Sequence, residues 1–230
     1  MSADATLRSQ PIAAVDARLT RMFGAPRRRT SDPIAELVTT ILSQATTDAQ
    51  TARSFDALRR RFPTWEQVRD ARSSEIATII HGSGLSRQKA PRIKRALQHI
   101  TRERGRIELD FLKRLSVTEA REWLMQMEGV GRKTASIVLL FAFNRAVFPV
   151  DTHVHRVTTR LGWIPAKASA EKAHDLLEPL IPPKMHYRLH VNLIQLGREI
   201  CQARTPRCAI CPLTDLCAYY QSVTPTRKTE

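Results

Sequence analysis

The chain has 230 residues, and its 37 Lys and Arg against 22 Asp and Glu leave a formal net charge of +15. Hydrophobic residues make up 42% of the sequence, which is enough for a packed core and argues against a disordered chain. So strong a positive charge favours a polyanionic partner, most often a nucleic acid.

Membrane and secreted proteins are disfavoured by the pattern of hydropathy. No apolar run approaches the roughly 18–20 residues that a membrane-spanning helix needs. The amino terminus, Met1 to Pro11, has no apolar segment of signal-peptide length. We therefore expect a cytoplasmic protein, associated with the nucleoid if the cell is bacterial.

Apolar residues recur with helical spacing along most of the chain. The first strong stripe follows Asp32 and Pro33, which are typical of a helix N-cap and first turn. No strand-like alternation longer than about four residues occurs, so the sequence predicts an all-α fold. In chain order, the positions on these apolar helix faces are Ile34, Leu37, Val38, Ile41, Leu42, Ile76, Ile79, Ile80, Ile93, Ala96, Leu97, Ile100, Leu176, Leu177, Leu180, Leu189, Leu193, Leu196 and Ile200.

The longest apolar run, from Ile137 to Phe143, predicts a buried helix. Pro149 follows it, and we expect this proline to end the preceding helical segment, because the residue before a proline disfavours helical geometry.

A glycine-rich turn, Glu128-Gly129-Val130-Gly131, lies between two predicted helices. The backbone N–H groups of such a turn, with the positive end of the next helix, form a phosphate site. Gly-x-Gly alone is an ordinary turn in most proteins. Its position between two helices of a basic chain favours a helix-hairpin-helix that holds a DNA backbone without reading bases.

Two charged residues that follow this turn in the chain have both a structural and a chemical interpretation. Lys133 falls in the first turn of the helix after the hairpin, where the helix dipole is unfavourable for a cation. It is either a phosphate contact or an amine that forms a Schiff base with a carbonyl-like carbon. Asp151, in Val-Asp-Thr-His, is either an N-cap or a carboxylate that stabilises positive charge on a sugar. Spacing alone leaves both alternatives open.

All four cysteines of the chain lie between Cys201 and Cys217, with the spacing C-x6-C-x2-C-x5-C. Crowded cysteines in a reducing compartment indicate metal ligation rather than a disulfide framework. Structural zinc sites usually have two close pairs of ligands, and only Cys208 and Cys211 form such a pair. The spacing therefore favours an iron–sulfur cluster.

Together and in this order, the hairpin lysine, Val-Asp-Thr-His and the cysteine spacing resemble the endonuclease III family of helix-hairpin-helix DNA glycosylases. The resemblance runs from about the first helix to Tyr220. It implies a six-helix barrel domain over 31–147, packed on a discontinuous iron–sulfur cluster domain of 1–30 and 148–230. It also implies a damaged nucleotide flipped out of double-stranded DNA. The implied ligands of a 4Fe–4S cluster are Cys201, Cys208, Cys211 and Cys217.

The resemblance also implies a role for individual residues. Lys133 would attack C1′ of the flipped nucleotide and displace the base, assisted by Asp151, and β-elimination would then cut the strand on the 3′ side. Asp48 and His153 would belong to the lesion pocket. The implied DNA contacts are Gly129, Val130, Gly131, Arg132, Gln44, Leu85, Arg204 and Arg207.

Two segments depart from the family's pattern. Glu128 stands where proline is common, which puts a negative charge close to the expected phosphate. In Leu42-Ser43-Gln44-Ala45-Thr46-Thr47-Asp48, aligned on Asp48, the gap-filling glutamine lies one residue early and Ala45 takes its usual place. Gap filling by Gln44 and the range of lesions therefore stay open.

The leading hypothesis is a monomeric, bifunctional glycosylase and AP (apurinic/apyrimidinic) lyase that acts on oxidised pyrimidines. The first alternative is a monofunctional mismatch or adenine glycosylase, which Lys133 disfavours. The second is a non-enzymatic DNA-binding protein whose cluster acts as a redox sensor. Such a protein has no requirement for Lys133 and Asp151 together, so their joint presence favours the enzyme.

Overall fold

A computed structural model describes residues 12–28 and 31–223. The described chain folds into two compact units. One contains residues 31–145, and the other contains residues 12–28 together with 146–223. The first unit ends at residue 145, two residues before the predicted domain boundary at 147. The expectations for the amino-terminal segment 1–11 and for the end of the chain after 223 lie outside the described residues.

The described residues form α-helices and short 3-10 helices, with no β-strand, which confirms the predicted all-α fold class. None of these helices is both long and apolar enough to cross a bilayer. The α-helices are α1 Ile12–Phe23, α2 Pro33–Ser43, α3 Asp48–Arg61, α4 Trp65–Asp70, α5 Ser73–Ile79, α6 Ser86–Arg104, α7 Val117–Met125, α8 Arg132–Phe141, α9 Thr152–Leu161, α10 Ala170–Leu180, α11 His186–Glu199 and α12 Ala218–Val223.

The unit of residues 31–145 has α2 at its centre, packed against α3, α6 and α8. Asp32 caps α2 as predicted, since its carboxylate accepts a hydrogen bond of 2.7 Å from the N–H of Ala35. The predicted apolar faces of α2 and α6 are buried, with Ile41 and Leu97 both at 0% exposure. Burial of these stripes, rather than helix propensity, supplies most of the stability of such helices.

The prediction that Pro149 ends the helix before it is wrong. Helix α8 already ends at Phe141, and Asn144 then adopts a left-handed conformation with φ of 53°. Asparagine tolerates this conformation better than most residues with a Cβ. Arg145 holds the turn by donating hydrogen bonds to the carbonyls of Leu112, at 3.3 Å, and Leu115, at 2.8 Å.

The second unit joins α1 to the carboxy-terminal part of the chain through packing and ion pairs. Asp16 of α1 is 3% exposed and pairs with Arg188 of α11, whose Nε lies 2.9 Å from Oδ1. A buried carboxylate needs such a partner to offset its loss of hydration. The predicted stripe of α11 is buried here, whereas Ile79, Leu176 and Leu180 of the other predicted faces are only half-buried.

Candidate active site

The hairpin between α7 and α8 requires glycine at one of its two glycine positions. Gly129 has φ of +81°, and a Cβ there would lie 2.7 Å from Cδ of Arg92. Gly131 has φ of −87° and open space around it, so its backbone would accept other residues. Gly131 instead serves as an N-cap, and it has no side chain to bind the N–H groups at the start of α8, a type of helix end that suits a phosphate.

Lys133 is the second residue of α8 and is exposed, as the prediction of a first-turn lysine requires. The next two residues, Thr134 and Ala135, are buried and anchor the start of the helix in the core. Arg132 beside it is half-exposed. The amine therefore projects from a rigid helix end, beside backbone donors that suit a phosphate.

Glu128, the residue expected to repel a phosphate, is paired within its own unit. Its Oε1 lies 2.7 Å from Nη2 of Arg95 on α6. Both side chains are largely exposed, so the pair contributes little stability. The positive charge of Arg95 does offset the negative charge of Glu128, which reduces the repulsion of a phosphate that the sequence alone suggested.

Gln44 is held against the hairpin, although 85 residues separate it from Gly129. Its Nε2 donates to the carbonyl of Gly129 at 3.3 Å, and its Oε1 accepts from Nη1 of Arg92 at 3.3 Å. Asp48 is the first residue of α3 and is exposed. The structure thus places Gln44 beside the hairpin and within the same unit.

Leu85 precedes α6 and is 53% exposed, which is unusual for a large apolar side chain. Its backbone is left-handed, with φ of 49°, a conformation that residues with a Cβ rarely adopt. An exposed apolar side chain on a constrained backbone is well suited to insertion between bases.

Sequence reasoning missed Lys89, which is 1% exposed and lies beneath the segments that carry Gln44 and Leu85. Burial lowers the pKa of this lysine to about 8. A signal was present, because Lys89 stands four residues before Ile93 and so continues the buried stripe of α6.

Asp151 caps α9, since its Oδ1 accepts a hydrogen bond of 2.7 Å from the N–H of Val154. The backbone just before it is fixed by two buried histidines. His174 Nδ1 lies 3.2 Å from the carbonyl of Phe148, and His190 Nδ1 lies 3.0 Å from that of Pro149. The predicted capping role is therefore present, and it holds one carboxylate oxygen of Asp151 in place.

His153, expected in the lesion pocket, is half-buried where α9 meets α11 of the same unit. Its Nδ1 lies 3.1 Å from Nη2 of Arg156. A Cβ on Gly197 would lie 2.8 Å from Cβ of His153, so only glycine allows α11 to pack this closely. One face of the imidazole is consequently occupied by the helix packing.

The four cysteines line one pocket. Among the described residues, no group of three or more His, Cys, Asp and Glu side chains is arranged to hold a single metal ion. Four thiols that line one space are the ligand type and number that an iron–sulfur cluster requires.

The four thiols are half-buried and close together, which favours a bound cation. Burial raises the pKa of Cys211 to about 11, and the neighbouring cysteines contribute to that rise. Thiolates crowded in this way need bound iron or another cation to offset their charge. Arg160 also donates to Sγ of Cys201 at 3.2 Å, a contact that the sequence did not indicate.

Arg204 and Arg207 lie on the loop between the first two cysteines and are exposed. An arginine of α9 holds the backbone of that loop. Arg160 donates to the carbonyls of Gln202, at 2.7 Å, and Ala203, at 2.9 Å. The loop thus presents two cationic side chains on a fixed backbone, as a phosphate contact requires.

Comparisons with known proteins give matches over most of the chain. A model of the HhH-GPD superfamily of base excision DNA repair proteins matches residues 38–183, and one of the iron–sulfur binding domain of endonuclease III matches residues 201–217. Endonuclease III of Thermotoga maritima is 32% identical over 191 residues, which are 83% of this chain and 85% of that protein. A putative DNA glycosylase of Arabidopsis thaliana is 40% identical over 162 residues, which are 70% of this chain but only 55% of that longer protein.

Solved structures of DNA glycosylases share the fold. A trapped covalent intermediate of endonuclease III with DNA gives a TM-score of 0.78 at 30% identity, covering 93% of this chain and 97% of that one. A thermostable thymine-DNA glycosylase gives 0.78 at 25% identity, covering 95% of this chain and 100% of that one.

Proposed function

The chain belongs to the endonuclease III family of the HhH-GPD superfamily, and we propose that it is a bifunctional DNA glycosylase and AP lyase. The proposed substrates are oxidised pyrimidines in double-stranded DNA and the abasic sites left after their removal. The observation that carries this proposal is the exposed amine of Lys133 at the start of α8, directly after a hairpin whose backbone suits a phosphate.

In the proposed reaction, the free amine of Lys133 attacks C1′ of the flipped nucleotide. The bond from C1′ to the base breaks, and the base leaves with the electron pair and takes up a proton. The attacking nitrogen loses a proton and the sugar ring opens, which gives a Schiff base. Loss of a proton from C2′ expels the 3′ phosphate by β-elimination, and water then releases the enzyme.

Asp151 is the proposed partner of Lys133 in base release. Its carboxylate would stabilise positive charge that develops on the sugar and would help the amine to lose its proton. The cap of α9 supports this assignment because it holds the carboxylate in one orientation. Such orientation is what an electrostatic role in a transition state requires.

We assign a 4Fe–4S cluster to Cys201, Cys208, Cys211 and Cys217. The cysteine spacing and the match to the iron–sulfur binding domain support it. When bound, the cluster would fix the loop that presents Arg204 and Arg207 to DNA. We further propose that the protein acts as a monomer in the cytoplasm, on the nucleoid if the cell is bacterial, consistent with its net charge of +15.

One observation favours a second candidate, a monofunctional mismatch glycosylase. The solved thymine-DNA glycosylase covers 95% of this chain at a TM-score of 0.78, as high as that of the trapped endonuclease III complex. Such an enzyme would release a base without a covalent intermediate. The lysine at position 133 has no required role in that reaction, so the bifunctional candidate is preferred.

Borohydride trapping tests the proposal. The protein is incubated with duplexes that contain thymine glycol or an abasic site, and the reductant converts any Schiff base into a stable adduct. We expect adducts with the wild-type protein and with Lys113→Ala, an exposed lysine of the same unit that pairs with Asp110. We expect none with Lys133→Ala, because the nucleophile is missing.

Other outcomes would change the assignment in defined ways. Base release that leaves an alkali-labile site, without adducts, would move the protein to the monofunctional class. DNA binding without base release or adducts on any damaged duplex would overturn the enzyme and favour the redox-sensing DNA-binding protein.

A further inference from the structure

The ammonium group of Lys89 joins two loops that are distant in the sequence. It donates to the carbonyl of Leu42 at 2.7 Å and to Oγ1 of Thr46 at 2.6 Å, both at the end of α2 or just after it. It also donates to the carbonyl of Ser83, at 2.6 Å, just before α6. Its three N–H groups therefore meet three oxygens, which come from two separate segments.

A lysine at this position is costly, because its charge is removed from water and all three acceptors are neutral. The side chain is 1% exposed, and burial lowers its pKa to about 8. Its place in the stripe of α6, four residues before Ile93, would suit an apolar residue without that cost. The gain that offsets this cost is the set of hydrogen bonds to the two loops.

Both loops hold backbone conformations that need support. Ala45 has φ of 51° and Leu85 has φ of 49°, which are two of three left-handed residues other than glycine in the described part of the chain. Such conformations persist where the surrounding structure over-determines them, and they cluster at functional sites. The hydroxyl of Thr46 also contacts the carbonyl of Ser83, so the two loops touch directly.

Each loop carries one side chain assigned to DNA. The first carries Gln44, whose amide is held beside the hairpin, and the second carries Leu85, which is 53% exposed. Because one ammonium group binds both loops, a shift of either loop breaks its own hydrogen bonds to Lys89 or pulls the ammonium group away from the other loop. The two side chains are thereby mechanically coupled through Lys89.

We propose that Lys89 is a positioning residue that holds the Gln44 loop and the Leu85 loop as one rigid unit, so that both side chains enter the duplex together when a nucleotide is flipped. This inference rests on the proposed function, since it takes both side chains as DNA contacts. It adds that Lys89 acts on nucleotide flipping and leaves the chemistry at Lys133 unchanged.

The test compares a reaction that needs flipping with one that does not. Base removal from a duplex with thymine glycol paired to adenine requires insertion into the helix. Cleavage at an abasic site in single-stranded DNA has no stacked partner to displace. We would measure kcat/KM on both substrates for Lys89→Met and for Thr46→Val. The matched control is Lys94→Met, a lysine of the same helix that donates to the carbonyl of Ala71 at 2.8 Å.

We expect Lys89→Met to lower the ratio of duplex to single-strand kcat/KM by about tenfold. Thr46→Val removes one of the three acceptors and should lower the same ratio by about threefold. Lys94→Met should leave the ratio within about twofold of the wild type. A second readout is a double-mutant cycle, in which Leu85→Ala costs the duplex reaction less in the Lys89→Met background than in the wild type.

Equal losses on both substrates would overturn the inference, because a general loss of stability affects both reactions alike. Additive effects of Lys89→Met and Leu85→Ala would overturn it as well. If Lys89→Met does not fold, an unchanged ratio of duplex to single-strand kcat/KM for Thr46→Val would also overturn the inference. A wild-type protein that cleaves neither substrate would overturn the proposed function itself, an outcome distinct from equal losses.

Discussion

Asp151 has a structural and a proposed chemical role, and two substitutions separate them. Its Oδ1 caps α9 through a hydrogen bond of 2.7 Å from the N–H of Val154. Asparagine keeps an oxygen for the cap but loses the charge. Alanine loses both. The two variants should therefore differ in stability if the cap matters, and both should lose activity to a similar extent if the charge matters.

The magnitude of the stability effect follows from the cap. Replacing a capping residue by alanine costs about 0.5–2 kcal/mol, whereas asparagine caps about as well as aspartate. Helix α9 is also held by the buried side chains of Val154, Val157 and Leu161, which limit fraying of its first turn. We expect a loss of about 1 kcal/mol for Asp151→Ala, or roughly 2–4 °C in Tm for a chain of this size. For Asp151→Asn we expect about 0.5 kcal/mol, from the lost interaction of the charge with the helix dipole.

The activity effect should rank the variants differently. If the carboxylate stabilises charge on the sugar, both variants lose it, and single-turnover base release should fall about 100-fold or more in each. Stability would then decrease from wild type through Asp151→Asn to Asp151→Ala. Activity would separate the wild type from both variants.

Unfolding in urea, followed by circular dichroism, and single-turnover release of thymine glycol measure the two effects. Asp32 provides a matched control, because it caps α2 with the same distance of 2.7 Å, to the N–H of Ala35. Asp32→Ala should cost similar stability and leave base release unchanged. Near wild-type base release by Asp151→Asn would refute the reasoning and leave Asp151 as a cap only.

Two further predictions concern the charges of the glycine hairpin and the cysteine pocket. Glu128→Gln frees Arg95 from its exposed ion pair, so the affinity for duplex DNA should rise about threefold near 50 mM salt. Fluorescence anisotropy should also show that this affinity depends more steeply on salt. The free energy of unfolding should change by less than about 0.5 kcal/mol. Glu103→Gln, which breaks another exposed pair of the same unit, should leave affinity unchanged, and an equal rise there would argue for net charge alone. Cys211→Ser removes one of the four proposed ligands, so bound iron and visible absorbance should fall. The urea midpoint should fall as well, because the remaining thiolates lose the cation that they share. Iron content equal to that of the wild type would contradict the ligand assignment.

Much of the fold and part of the site could be predicted from the sequence, because the interactions involved are local. Apolar stripes with helical spacing predicted the all-α class, and Asp32 and Asp151 were recognisable as caps within three residues of their partners. Lys133 was predicted in the first turn of its helix for the same reason. The cysteines were predicted to share one site because a short loop separates them, and they do line one pocket.

Only the tertiary structure decided the contacts between segments that are far apart in the chain. Gln44 meets the hairpin across 85 residues, and Asp16 pairs with Arg188 across 172. The pairing of Glu128 with Arg95 and the burial of Lys89 depend likewise on how helices pack against each other. Residue type and spacing report which face of one helix is apolar, but not which oxygen of another segment lies opposite it. For this reason the sequence indicates which chemical groups the protein has, whereas the fold determines where those groups lie.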